Sequence, residues 1–202
     1  VYQASRQIGK GAEEYAHHCK KLELIPASSS VFAPYFALTL AISDKADATR
    51  NMSYPTQDIW FLPKKEREEY INSGYFVYPK EYEKYLLAEF DRTGDDYEGS
   101  CQMAVYDEET FTFTDLTGLC NFWSVFFPYP PISSRSLLAE LVSATTGMEV
   151  GEADVTQIAR RVINLLRSYN LRSGLTRKDD TVPKMFFQKN PSPPWLKLDA
   201  DK

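Results

Sequence analysis

Asp115-Leu116-Thr117-Gly118-Leu119-Cys120 holds the densest chemistry in the chain: a carboxylate, a glycine and a thiol within six residues. A glycine lets backbone approach a ligand closely. A carboxylate accepts hydrogen bonds from ring nitrogens or amines. A thiolate is a soft ligand suited to iron–sulfur clusters or zinc. Such a loop can hold a polar heterocycle on one side and offer a metal ligand on the other. Two bland readings stand beside this one. Cys120 next to Leu119 and Phe122 fits a buried structural thiol, the commoner outcome on spacing alone, and Asp115 fits a helix N-cap. The other cysteines, Cys19 and Cys101, form no CxxC pair and are expected to be buried. One good ligand without companions points to a piece of a larger metalloprotein.

Other chemistries lack their residues. His17 and His18 are adjacent and would diverge by about 100° on a helix, so they make no same-face metal pair. No GxSxG elbow, zinc-hydrolase signature or P-loop occurs. In Leu171 to Pro183 a helix ends, Gly174 reverses the chain, and Arg172, Arg177, Lys178, Asp179 and Asp180 follow. A charge network that ties the turn to the helix is the structural expectation; Arg172 or Arg177 reaching an anionic cofactor is the alternative.

The elements that must position these residues read as helices. Spacings of three and four predict helices near 6–20 (Ile8, Ala12, Tyr15, Cys19), 33–43, 79–91, 134–146 and 154–171, with a short one after Pro63. Lys20 and Lys21 fall where positive charge suits the end of the first. Residues 22–30 read as a strand-like or irregular connector, and for 100–107 periodicity does not choose between helix and buried segment. Strand patterning is weak throughout. The expectation is an all-α, multihelical single domain over 1–202, with 184–202 a Pro-rich extended tail.

The 202 residues can bury a substantial core, and the net charge of -5 gives no general attraction to nucleic acid or anionic membrane. No run of 18 apolar residues is present, so no membrane span is expected. Val1-Tyr2-Gln3 carries neither an initiator Met nor a signal-peptide core, as expected of a chain trimmed at its front in preparation rather than by processing. Three scattered cysteines suit a reducing, cytoplasmic location.

Two segments in this order, 115–122 and Arg161 through Pro183, closely resemble the C-terminal region of the tungsten-dependent aldehyde ferredoxin oxidoreductase family. A fainter likeness runs from Gly11-Ala12-Glu13-Glu14-Tyr15 through Lys21-Leu22-Glu23-Leu24 and Pro26, so the similarity touches roughly 10–185. The resemblance implies a large enzyme in which a tungsten or molybdenum bis-pterin centre sits near a four-iron, four-sulfur cluster. It implies that Cys120 is the late, fourth cluster cysteine and Asp115 a pterin-binding carboxylate, with the Leu119 backbone approaching the pterin beside Gly118. The other cluster cysteines would come from N-terminal and middle domains not in this chain. The implied activity is oxidation of a small aldehyde to its carboxylate, with electrons leaving singly to ferredoxin or an electron-transfer subunit. The chain by itself is then expected to bind no cofactor and to be inactive. Thr49 stands where the family usually has a histidine near the active centre, and threonine cannot shuttle protons at neutral pH as imidazole does. A helical interaction domain derived from this scaffold, without cofactor, is the rival expectation.

Overall fold

The computed structural model describes residues 1–24, 34–44, 62–74, 83–84, 86–87, 100–121 and 134–183. Helix α1 (Tyr2–Ile8) leads through a 3-10 turn (Ala12–Tyr15) to a two-stranded antiparallel ribbon, β1 (His18–Cys19) and β2 (Leu22–Glu23). Then come α2 (Pro34–Ile42), α3 (Lys64–Asn72), α4 (Ser100–Thr117), α5 (Arg135–Thr146) and α6 (Glu152–Arg172), and a closing 3-10 turn (Arg177–Asp179). The fold is multihelical, and the small ribbon is the only sheet among the described residues.

The organising element is α4. Its 18 residues pack against α2, α5 and α6. Met103, Ala104, Tyr106, Asp107, Glu109, Thr110, Phe111, Phe113 and Thr114 are all buried, so most of its circumference is interior. A helix covered on nearly all sides has no single apolar stripe, which is why periodicity left its front half undecided and gave no sign of its length. Its buried threonines donate to carbonyls one turn back, Thr110 to Tyr106 at 2.8 Å and Thr114 to Thr110 at 2.9 Å, so neither hydroxyl is orphaned.

Around Phe113 the core is made by Leu138 and Ala139 of α5 and by Val155 and Ala159 of α6, with Leu119, Val142 and Val150 packed at its edge. Helix α5 starts where the Ser134 hydroxyl accepts the Leu137 N–H at 3.1 Å and stops at Gly147, whose φ is 73°. Helix α6 starts where Asp154 accepts the Gly151 N–H at 2.8 Å. Both helices match their expected positions, as do α2 and the short α3. Most of 79–91, and all of the 184–202 tail, lie outside the described residues.

The expected helix over 6–20 is wrong. Gly9, Lys10 and Gly11 take φ values of 62°, 55° and 83°, left-handed backbone that ends α1 and turns the chain. Ile8 and Tyr15, half of the supposed apolar face, are 66% and 80% exposed. Lys20 and Lys21 do not cap a helix. They form the two-residue turn of the ribbon, with φ of 50° and 67°, positive values that suit glycine or asparagine far better than lysine.

Candidate cofactor loop

Helix α4 carries the candidate carboxylate to the surface. Asp115 lies in its last turn and is exposed, so the N-cap reading fails: this is the wrong end of the helix. The C-terminal turn carries partial negative charge, and an acidic side chain there costs a few tenths to about 1 kcal/mol. No basic residue in that turn offsets it. Gly118, at φ 76°, closes the helix, its N–H reaching the Asp115 carbonyl at 3.2 Å. A Cβ placed on Gly118 would meet nothing within 4 Å among the described residues. Leu119 turns inward and packs on the Phe113–Leu138 core, while Cys120 is exposed. Chain direction thus alternates from carboxylate out to leucine in to thiol out.

Beyond the loop, Asn121 reaches back to the end of α4. Its Nδ2 donates to Asp115 Oδ1 at 2.6 Å, while its own Oδ1 is shielded from solvent and accepts no hydrogen bond from the described residues. Sequence reading passed over this contact, since nothing in the spacing of 115 and 121 announces it before the turn at Gly118 is known.

The cysteines sort differently from expectation. Cys120 and Cys101 are exposed, against the reading of both as buried thiols, and only Cys19 is buried, where burial pushes its thiol up to about 11. Among the described residues no three His, Cys, Asp or Glu side chains come together as a metal set. A metal at Cys120 must therefore take further ligands from beyond these residues. His17 is exposed. His18 packs edge-on to Tyr2 at 4.9 Å, and burial, then the N-terminal ammonium, pull its imidazole below the ordinary value. Thr49 lies outside the described residues.

Two charge clusters brace the scaffold, and only the second, at the turn after α6, was expected from the sequence. Glu109 of α4 is buried between Arg135 of α5, at 2.9 Å, and Arg160 of α6. Arg135 also donates to Thr156 Oγ1 at 2.7 Å and to the Tyr106 carbonyl at 3.1 Å, and its guanidinium lies 4.2 Å from the Tyr106 ring centroid. Glu108 next door is pushed up by burial first and then by the charges of Glu109 and Asp44. The second cluster is the turn after α6. Asp180 receives both Arg167 nitrogens, at 2.9 and 2.6 Å, and lies 3.4 Å from the Lys20 ammonium, which also donates to the Ala41 carbonyl. Asp179 accepts from Thr176 through both its N–H and its hydroxyl. The expected charge network at this turn is real, but it is built by Arg167 and Lys20; Arg172 and Arg177 are exposed.

A buried helical scaffold that presents an exposed carboxylate, an open glycine and an exposed thiol on one loop has the donor set for a polar heterocycle beside a soft metal. Residues 1–196 match the family model described as aldehyde ferredoxin oxidoreductase, domains 2 and 3. The chain belongs to that family, and its fold is the oxidoreductase fold of that superfamily. It is similar to the active site complex BamBC of benzoyl coenzyme A reductase, solved in complex with 1,5-dienoyl-CoA, at 25% identity and a TM-score of 0.77. That alignment covers 95% of this chain and 30% of the other, so the chain spans under a third of its solved relative's length. No curated protein sequence matches it.

Proposed function

We propose that this chain is the C-terminal, cofactor-binding part of a tungsten or molybdenum pterin oxidoreductase. The observation that carries the reading is the 115–120 loop: a carboxylate kept at the unfavourable end of a buried helix, a glycine that no described residue crowds, and an exposed thiol. These residues fit the cofactors the family implies. When bound, the metal–pterin centre supplies two-electron oxygen-transfer chemistry, and an iron–sulfur cluster passes electrons on singly. Asp115 would hold the pterin by accepting hydrogen bonds from it, with the Leu119 backbone beside it and Gly118 allowing a close approach. Cys120 is one ligand of the four-iron, four-sulfur cluster, and the remaining ligands come from domains outside this chain.

Oxidation of an aldehyde to its carboxylate, with ferredoxin or an electron-transfer subunit as acceptor, is the leading reaction. The similarity to a benzoyl coenzyme A reductase favours a second reading, reduction of an acyl coenzyme A substrate on the same scaffold. Thr49 in place of the family histidine suits a proton route unlike that of the aldehyde enzymes. An apolar strip on α6, with Ile158, Leu165 and Tyr169 at 36%, 70% and 68% exposed, suits a surface met by further domains of the same protein. Cytoplasmic residence fits the scattered thiols; no helix among the described residues is long and apolar enough to cross a membrane.

The test is made on anaerobically prepared full-length protein. It should contain tungsten or molybdenum, released pterin and iron. Cys120→Ser should deplete iron, and Asp115→Asn should deplete pterin while iron remains. Protein that is active yet lacks both metals refutes the assignment. Assaying aldehydes and acyl coenzyme A thioesters side by side separates the two reactions.

A further inference from the structure

We infer that Asn121 is a positioning residue for the cofactor carboxylate, holding Asp115 in the orientation in which it receives a pterin. The inference rests on the cofactor reading above and adds a residue to it. Three observations carry it. Asn121 Nδ2 donates to Asp115 Oδ1 at 2.6 Å, a short contact of the kind made to an ionised acceptor. The same amide leaves its Oδ1 shielded from solvent and without a donor among the described residues. Asp115 belongs to the last turn of α4 and Asn121 follows the loop, so the bond spans the residues containing Gly118 and Cys120.

The orphaned oxygen is the telling part. A buried acceptor without a donor is unfavourable, and native proteins keep few of them. Flipping the amide would exchange its nitrogen and oxygen, but it would set oxygen against the Asp115 carboxylate. The amide therefore sits as the carboxylate dictates, at the expense of its own oxygen. The result on Asp115 is asymmetric: Oδ1 is claimed by Asn121, which leaves Oδ2 of this exposed residue as the acceptor for a ligand. An exposed aspartate would otherwise sample several rotamers, and fixing it in advance removes an ordering cost from binding. Leu119, anchored in the core, and the left-handed turn at Gly118 keep the two ends of the loop at this spacing.

The experiment uses the full-length protein and measures, per polypeptide, released pterin, tungsten plus molybdenum, iron, and the rate of pterin loss on dilution. Asn121→Ala should speed pterin loss about tenfold, the scale of one hydrogen bond to a charged group, with iron unchanged. Asn121→Asp keeps the shape of the side chain and serves if the alanine variant does not fold. It sets a second carboxylate against the first and should lose at least as much pterin. In an Asp115→Asn background, Asn121→Ala should have little further effect, because its partner's charge is gone. Equal effects in both backgrounds, or parallel loss of iron and pterin, would assign Asn121 a general role in loop folding and overturn the inference. Unchanged pterin retention in both Asn121 variants would overturn it too. A wild-type protein with no pterin instead defeats the cofactor reading itself, and with it this one.

Discussion

The cluster of Lys20, Asp180 and Arg167 ties the ribbon turn, the end of α2 and the chain after α6 to one carboxylate, and Asp180→Asn should unfasten all three. The Lys20 side chain is 3% exposed and Asp180 14%, while Arg167, at 34%, stays partly in water. Breaking a buried ion pair from one side typically costs about 3–5 kcal/mol, because the surviving charge is stranded. Arg167 can recover solvent but Lys20 cannot, which puts the expected loss near the lower end, about 3 kcal/mol. Lys20→Met removes the buried cation and leaves the two-pronged Arg167 contact intact, so it should cost only about 1 kcal/mol. The double variant should lose about 2 kcal/mol, short of the sum of the two, since no charge is then stranded.

Urea unfolding at pH 7, followed by far-ultraviolet circular dichroism, reads these differences directly. Additivity within about 0.5 kcal/mol would refute the stranded-charge argument. The acid limb gives an independent check. Burial by itself pushes the Asp180 carboxyl up, but the Arg167 hydrogen bond and charge, and then Lys20, outweigh it and hold it below the ordinary carboxylate value. A depressed carboxyl contributes stability that is complete above its unfolded pKa, about 4, and is lost as pH falls through the lower folded value. The deficit of Asp180→Asn should therefore be constant from neutrality down to about pH 4 and shrink below it. A deficit that instead changes between pH 5 and 8 would show that another group controls the cluster.

Leu138 is fully buried at the centre of the α4–α5–α6 core, and Leu138→Ala should cost about 3–4 kcal/mol in the same urea assay. Iodoacetamide at pH 8 should label Cys101 and Cys120 in metal-free native protein but reach Cys19 only after unfolding; in cofactor-loaded protein Cys120 should be protected as well, as peptide mass mapping will show. Gly118→Ala meets no neighbour, so its cost is the strain of φ 76°, about 1 kcal/mol. Pterin occupancy of that variant in the full-length protein should fall by more than this small loss of stability explains.

Local chemistry was enough wherever an element has one face in the core and its ends are marked by its own residues. Ser134 and Gly147 bound α5, Gly174 (φ 95°) follows α6, and the run of Val155, Ala159 and Val162 gives α6 its inner side. The motif from Asp115 to Cys120 was legible as chemistry for the same reason: its residue types, not their surroundings, suggest a ligand. The sequence misled where spacing imitated a face, as with Ile8 and Tyr15, because left-handed backbone at Gly9 to Gly11 interrupts a pattern that looks continuous on paper. It was silent on α4, whose polar Glu109 is stable inside only because Arg135 and Arg160 arrive from other helices. Whether Asp115 caps a helix or ends one, and whether Cys120 is buried or presented, followed from where α4 stops and from Leu119 finding the core. Those outcomes depend on partners distant along the chain, and a short motif carries no record of what will pack beside it.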